Sequence, residues 1–180
     1  METGNVILDN VSFRSEIPND FTAIQQMLQL AFPEENVATL VKNLRQTLGY
    51  DHELALVAEL ECTIIGYAMF SHVYIESLNG NVPAMMLAPL AVHPNWQNQG
   101  IGSLLTRYGL EECRRLGNHI VIVIGHSNYY PRFGFFQAGL QGISIDQGRF
   151  EESKMVLSLT PGGLDGVTGI VRLPTIFAET

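Results

Sequence analysis

The chain has 180 residues, of which 46% are hydrophobic and 16% charged, and its formal net charge at pH 7 is -8. This length and composition are typical of one folded domain with a sizeable core, and they exclude a disordered chain. The excess of acidic residues, 18 against 10 basic ones, argues against a nucleic-acid partner. It would suit a cationic acceptor such as an amine, although many soluble proteins are simply acidic.

Two cysteines, Cys62 and Cys113, are too few for a disulfide framework or a metal cluster. No spacing of His, Cys, Asp and Glu predicts a metal site. The N-terminal residues lack the pattern of a signal peptide, and no apolar run approaches the length of a membrane span. We therefore expect a cytoplasmic protein with no metal and no membrane partner.

Two helices are predicted in the first third of the chain. The first extends from about Phe21 to Phe32, with Asp20 as its N-cap. The second extends from about Glu35 to Leu48, with an apolar stripe through Leu48 and with Gly49 as a left-handed C-cap.

The pattern then changes to one typical of β-strands. Leu54–Leu60 and Thr63–His72 predict a hairpin, and Val73–Leu78 is expected to continue the second strand past a bend. Asn79-Gly80-Asn81 is a strong turn signal, and it leads into a strand over Met85–Val92.

A βαβ unit follows. The strand Met85–Val92, an amphipathic helix over Ser103–Leu116 and the apolar run Ile120–Ile124 have the order and lengths of such a unit. After a turn-rich segment, Gly142–Ile145 and Met155–Leu159 predict a closing antiparallel pair. The tail from residue 161 to 180 ends in an apolar patch, which is expected to pack back onto the body.

The loop Gln97–Ser103 joins the strand to the helix and contains two glycines. Backbone N–H groups at a helix N-terminus bind phosphate or pyrophosphate, so this loop predicts such a site without a cationic side chain. It contains no Lys, as a P-loop would, and Leu105 occupies the position of the third small residue of a Rossmann fingerprint. The alternative is that Gly100 and Gly102 only make a tight turn.

Pro89 interrupts an otherwise regular strand. Because proline cannot donate to a ladder, it marks an edge, a bulge or a place where two strands separate. If the strands ending at Val92 and Ile124 part there, the backbone of Leu90–Val92 can pair with an extended ligand that carries amides. A pyrophosphate followed by two amides describes coenzyme A.

Two motifs resemble those of the GNAT superfamily of acyl-CoA N-acyltransferases. The run from Leu87 to Leu105, LAPLAVHPNWQNQGIGSLL, is similar to its cofactor-binding motif, and YYPRFGF at Tyr129–Phe135 is similar to its second motif. The resemblance covers most of residues 5–160, and the tail is similar to that of uncharacterised bacterial N-acetyltransferases. It implies one α/β domain over residues 1–180, with a mixed, twisted central sheet, splayed middle strands and flanking helices.

The resemblance also implies the residues that bind the cofactor. The main chain of Leu90 and Val92 would pair with pantetheine, and the glycine loop would hold the pyrophosphate. Asn128 would bridge a backbone group to the cofactor, although Ser127-Asn128 is equally a turn. The implied set is Leu90, Ala91, Val92, Gln97, Asn98, Gln99, Gly100, Ile101, Gly102, Ser103, Asn128 and Tyr130.

By the same resemblance, Tyr130 would act as the general acid that protonates the departing thiolate. Its alternative is an ordinary aromatic side chain in a cluster with Phe133 and Phe135. His126 or Glu34 is the candidate base. Each has an ordinary alternative. His126 could be a solvated loop histidine, and Glu34, like its neighbour Glu35, could be an acid that interacts favourably with the dipole of the second helix.

The implied activity is transfer of an acetyl group from acetyl-CoA to a small-molecule or peptide amine, by direct attack, in a monomer or a homodimer. A noncatalytic acyl-CoA sensor would keep the loop without the chemistry. A nucleotide-binding module is a third possibility, and the missing Lys and third glycine count against it.

Overall fold

Nine strands form one mixed sheet in the computed structural model, which describes residues 10–33, 36–146 and 151–179. Along the sheet the order is β1-β2-β3-β4-β5-β8-β6, and β9 pairs with both β3 and β7. The strands are β1 (Ser12–Ser15), β2 (Ala55–Leu60), β3 (Thr63–Ser77), β4 (Gly80–Val92), β5 (Ile120–Ile124), β6 (Phe136–Gln137), β7 (Ile143–Ile145), β8 (Lys154–Ser158) and β9 (Gly169–Val171). The helices are α1 (Phe21–Ala31), α2 (Val37–Leu44) and α3 (Ile101–Arg115).

Helix α1 matches its predicted bounds to within one residue, but Asp20 does not cap it, because its carboxylate accepts from Arg14 and from the Ile17 amide. The predicted α2 is too long. Helix α2 ends at Leu44, and Leu48 is fully exposed rather than on the buried stripe. The Leu44 carbonyl accepts from both the amide and the hydroxyl of Thr47, at 3.0 and 2.8 Å, so it bonds three residues ahead rather than to the Leu48 amide that a continued helix would need. Gly49 is not in the left-handed region, and its role is close approach, since a β-carbon there would lie 2.9 Å from the His72 carbonyl oxygen.

The central hairpin is longer than the sequence predicts. Strand β3 runs without a break to Ser77, and β4 begins at Gly80 rather than at Met85. The turn at Leu78 and Asn79 is closed by the Ser77 hydroxyl, which donates to the Gly80 carbonyl at 2.8 Å. Strand β1 was absent from the prediction, because four residues with little apolar periodicity give no clear strand signal.

The predicted separation of the middle strands is confirmed. Strand β4 pairs in parallel with β5 only at Met85–Val121 and Met86–Ile122, while its partnership with β3 continues to Val92. The β3–β4 register shifts between Ala68 and Phe70, opposite the segment that contains Pro89. The proline therefore lies in an irregularity at the point where β4 leaves β5, as its missing N–H group suggested.

The predicted pairing of the two late strands is wrong. Strand β7 pairs in parallel with β9, and β8 pairs in antiparallel fashion with β5 and β6. The apolar β5 is covered on both faces, so it needs a partner on its open edge, and β8 supplies it. The tail brings β9 beside β3 and β7, where Val171 and Leu173 are buried.

Helix α3 covers one face of the sheet, where Leu105 and Cys113 are buried with Phe70. A β-carbon at Gly109 would overlap the Phe70 ring, so glycine allows α3 to pack closely on β3. Burial raises the pKa of the Cys113 thiol, as expected for a small apolar core residue. None of the helices in the described part of the chain combines the length and apolarity needed to cross a bilayer.

Two clusters cover the opposite face. The helix-side cluster joins α1 and α2 to the sheet and includes Ile24, Leu28, Val41, Tyr67, Met69 and Ala91. The tail cluster includes Val73, Ile75, Met86, Ile122, Val171 and Leu173. The C-terminal 3-10 segment, Thr175–Glu179, lies against α2.

Candidate active site

A cleft of about 590 Å³ opens where β4 and β5 separate, at the N-terminus of α3. This volume is ordinary for a small-molecule site. Nine of the predicted site residues line it: Leu90, Val92, Gln97, Asn98, Gly100, Gly102, Ser103, His126 and Tyr130. Three residues that the sequence did not predict also line it: Trp96, Tyr129 and Arg132.

The backbone of β4 presents hydrogen-bonding groups to this cleft. The His93 amide donates to the Ile65 carbonyl at 2.9 Å. Because hydrogen-bonded and non-bonded residues alternate in an antiparallel ladder, Leu90 and Val92 direct their N–H and C=O groups away from β3. The Val92 carbonyl accepts from Nε2 of Gln97 at 3.0 Å, which fits this orientation. The β4 edge can therefore receive an extended amide-bearing ligand.

The loop before α3 leaves amides free at the helix N-terminus. Gly100 is the N-cap with φ 89°, and Asn98 also has a positive φ of 60°. The first helical bond runs from the Leu104 amide to the Gly100 carbonyl at 3.0 Å, and no side chain caps the helix. The amides of residues 100–103 thus lack intrahelical partners and can bind an anion.

Gly102 makes this end of the helix accessible. A β-carbon there would lie 3.2 Å from the Tyr129 hydroxyl and 3.4 Å from Cγ2 of Val92. Glycine therefore keeps an approach to the helix N-terminus open between two side chains. The same distances place the Tyr129 hydroxyl beside the predicted phosphate site.

Arg132 places a cation in the cleft, although the loop Gln97–Ser103 itself contains none. Its guanidinium lies 4.7 Å from the Tyr129 ring centroid, and Nε donates to the Tyr129 carbonyl at 2.9 Å. The 3-10 turn Tyr130–Phe133 brings this side chain to the cleft. The sequence did offer a signal for this residue. Arg132 comes two residues after Tyr130, and one short 3-10 turn contains both, so a side chain at position 132 could be expected near the same cleft.

Tyr130 lies at the inner wall of the cleft and is buried. Its ring makes edge contacts with Tyr129, at 5.0 Å between centroids, and with Phe135, at 5.6 Å. Burial, and secondarily the neighbouring phenol of Tyr129, raise the pKa of Tyr130 above its ordinary value. The phenol is therefore protonated at neutral pH and can donate a proton, while its ring belongs to the aromatic cluster.

The two candidate bases differ in what the structure describes. His126 follows β5, is exposed and lines the cleft. Its carbonyl accepts from the Tyr129 amide at 2.9 Å, which ties it to the turn that carries Tyr130. Glu34, like Glu35, lies outside the described residues.

Four predicted residues do not have side chains in the cleft. Ala91 packs into the helix-side cluster on the other face, and Ile101 packs into the core beneath α3. Gln99 donates to the Asn95 carbonyl at 3.1 Å and braces the loop. Asn128 is exposed, and its carbonyl accepts from Arg132 Nη2 at 3.4 Å. Of these residues, Ile101 contributes an N-terminal amide of α3.

Metal ligands do not gather in this cleft or elsewhere in residues 10–33, 36–146 and 151–179. Within these ranges no group of three or more His, Cys, Asp or Glu side chains could hold a metal ion.

Comparison with known proteins places this cleft in a family context. Residues 21–137 match the Acetyltransferase (GNAT) family. The chain is 34% identical over 158 residues to the uncharacterized N-acetyltransferase YjhQ of Escherichia coli K12, covering 86% of this chain and 87% of the relative. It is 33% identical over 160 residues to the uncharacterized N-acetyltransferase YhbS of the same strain, covering 88% and 93%.

Two solved structures share the fold along almost the whole chain. The crystal structure of YhbS from E. coli in complex with CoA superposes with a TM-score of 0.87 at 30% identity, covering 94% of this chain and 92% of that one. A GNAT family acetyltransferase from Brucella melitensis in complex with acetyl-CoA gives a TM-score of 0.74 at 28% identity, covering 93% and 97%.

Proposed function

The chain belongs to the GNAT acetyltransferase family, and on that premise we propose that it transfers an acetyl group from acetyl-CoA to a primary amine by direct attack in a ternary complex. One observation carries the proposal. A single cleft contains free helix N-terminal amides, an unpaired strand edge and a buried, protonated tyrosine. These groups match a diphosphate, two amides and a thioester sulfur in succession. YhbS and the Brucella enzyme, which bind CoA and acetyl-CoA, support the same ligand.

The diphosphate is held by the main-chain amides of residues 100–103, with help from the α3 dipole and from Arg132. A helix N-terminus contributes about 0.3–1 kcal/mol to an anion at an exposed site, so the cation adds materially to the binding free energy. The pantetheine amides pair with the backbone of Leu90 and Val92. The Gln97 side chain donates to the Val92 carbonyl in the structure. When pantetheine binds, its amide N–H replaces Gln97 as the donor to this carbonyl, and the Gln97 side chain moves away.

Acetyl-CoA supplies an acyl group that is activated as a thioester. Tyr130 donates its phenolic proton to the departing thiolate, and its raised pKa keeps that proton in place until it is needed. The attacking amine is protonated at neutral pH and must lose a proton. His126, or Glu34 in the segment outside the described residues, accepts it directly or through water.

The first experiment tests the cofactor site by calorimetry with acetyl-CoA. Gly100→Ala and Gly100→Glu place the same strain on a residue with φ 89°, about 1–2 kcal/mol, but only Glu adds a negative charge. We expect Gly100→Ala to weaken binding modestly and Gly100→Glu to abolish it. Equal affinities in the two folded variants would refute the loop assignment.

The second experiment tests the chemistry by thiol release from acetyl-CoA over a panel of amines, amino acids, polyamines and peptides. Turnover with at least one amine, lost in Tyr130→Phe while acetyl-CoA still binds, supports the transferase. Binding without turnover across the whole panel would favour a noncatalytic acyl-CoA sensor.

A further inference from the structure

We infer that Phe177, in the C-terminal 3-10 segment, closes the inner end of the cleft and limits the length of the acyl chain that the protein accepts. This inference rests on the proposed function, because it concerns the group carried at the end of the coenzyme A arm. It assigns a specificity-determining role to the tail of the chain.

The first step is where the two clusters on the face away from α3 meet. Along β3 the helix-side cluster ends at Met69 and the tail cluster begins at Val73. Ser71 lies between them and is buried, and within the described residues its hydroxyl has no hydrogen-bond partner. The buried Ser71 hydroxyl therefore lies at the boundary between the two apolar clusters.

The second step is that this boundary coincides with the inner end of the strand separation. Ser71 is opposite Met86 in the β3–β4 register, and Met86 is the last β4 residue that pairs with β5. Beyond it, Ala88 on β4 and Ile124 on β5 are only partly buried and pack on the tail cluster. The apex of the split is thus apolar on this face.

The third step is what covers the apex. Phe177 packs against both clusters, so it bridges the boundary between them. Its neighbour Ile176 packs against the helix-side cluster alone. Phe177 is therefore a tail residue that contacts both sides of the boundary marked by Ser71, and we place its ring at the inner end of the split on that basis.

The path of the pantetheine arm along β4 connects the phosphate site to this apolar region. The phosphate-binding end lies beside Val92, because the Gly102 β-position is 3.4 Å from Val92 Cγ2. An extended arm that follows β4 from Val92 toward Ala88 covers four residues, or about 13 Å. Its acyl end then points at Ala88, Ile124 and Phe177. A short acyl group such as acetyl fits against these apolar side chains. A longer acyl chain would collide with the Phe177 ring.

The test is calorimetry with acetyl-CoA, butyryl-CoA and hexanoyl-CoA on wild type, Phe177→Ala and Ile176→Ala. Each methylene that gains a buried site is worth about fourfold in affinity. Butyryl has two more methylenes than acetyl, so we expect Phe177→Ala to improve binding of butyryl-CoA relative to acetyl-CoA by about 16-fold over wild type. Ile176→Ala, which truncates the adjacent side chain, should keep the wild-type ratio.

The outcomes separate this inference from the proposed function. Wild type that binds none of the three thioesters overturns both. Wild type that binds acetyl-CoA, with the same chain-length profile in folded Phe177→Ala, overturns the role of Phe177 and leaves the cofactor site intact. If Phe177→Ala does not fold, Phe177→Leu gives the same comparison with a smaller loss of packing, and an unchanged profile there also overturns the inference.

Discussion

Gly125 lies so close to Tyr130 that a β-carbon at residue 125 would overlap ring atom Cε2. Gly125 is also fixed from the other side, since its amide donates to the Ser153 carbonyl at 2.9 Å. The backbone after β5 therefore cannot move away from the ring without losing a hydrogen bond. Gly125 is a positioning residue that sets where the phenol of Tyr130 lies in the cleft.

Gly125→Ala is expected to lower kcat for thiol release by about 10- to 100-fold, because a small displacement of a catalytic group has effects of that order. Acetyl-CoA affinity should change much less, since the helix N-terminus is untouched. Gly139→Ala is the matched control, because a β-carbon at Gly139 meets nothing within 4 Å. Equal kcat values in Gly125→Ala and wild type would show that the position of Tyr130 does not limit the reaction.

The pH dependence of kcat provides a second prediction about Tyr130. Burial raises the pKa of its phenol above the ordinary value of 10.0, so the proton that we propose it gives to the thiolate stays bound throughout the neutral and mildly alkaline range. We expect kcat, measured at saturating amine, to show no descending limb up to about pH 10. A loss of kcat centred near pH 8 would contradict a protonated Tyr130 as the acid, provided that acetyl-CoA still binds at that pH.

Some features of this site were readable from sequence because they depend on backbone chemistry that few residues provide. Pro89 cannot donate to a ladder, and it lies where β4 leaves β5. Gly100 and Gly102 follow a strand and begin a helix, and they leave the predicted amides free. In each case the residue acts on the backbone at its own position. The order of the proline, the glycines and the predicted strand and helix was therefore enough to locate the cleft.

Other features depend on contacts between distant parts of the chain. The partner of β7 is β9 rather than β8, and no local pattern of Ile143–Ile145 distinguishes those alternatives. Arg132 was present in the second motif, but its entry into the cleft depends on a 3-10 turn and on stacking over Tyr129. Helix α2 was overextended because the stripe continues to Leu48, while the Thr47 hydroxyl takes the carbonyl of Leu44.

The third prediction concerns the contribution of Arg132 to acetyl-CoA binding. We expect Arg132→Ala to weaken acetyl-CoA binding about tenfold at low salt, because a charged hydrogen bond to an anion contributes about 1.5–3 kcal/mol and part of this is lost to solvent screening. The difference from wild type should shrink as the salt concentration rises. Calorimetry at two salt concentrations measures both effects.

Arg172→Ala is the control for the loss of a positive charge. Arg172 is paired with Glu76 on the exposed β3–β9 side of the sheet, and it does not line the cleft. Its replacement should leave acetyl-CoA affinity within about twofold of wild type. If both variants lost the same affinity, the effect of Arg132 would be one of overall charge rather than of contact.

The fourth prediction concerns what holds α2 against the sheet. The Glu16 carboxylate accepts from Arg45 Nε at 2.9 Å and Nη2 at 2.5 Å, and from the Tyr50 hydroxyl at 2.9 Å. The Glu16 side chain is 1% exposed and that of Arg45 is 13% exposed. The Arg45 guanidinium also lies 3.9 Å from the Phe21 ring centroid, so this ion pair joins α1, the C-cap residue of α2 and the segment after β1.

Removal of one partner from a buried ion pair leaves the other charge without compensation, which costs about 3–5 kcal/mol. We therefore expect Glu16→Gln, which keeps the side-chain shape, to lower the free energy of unfolding by about 3 kcal/mol. Glu76→Gln is the matched control, because the Glu76 and Arg172 side chains are 51% and 55% exposed and such surface pairs contribute about 1 kcal/mol or less. Urea denaturation at pH 7 measures both variants. A loss in Glu16→Gln no larger than that in Glu76→Gln would mean that apolar packing alone holds α2 in place and that the buried pair contributes nothing beyond it.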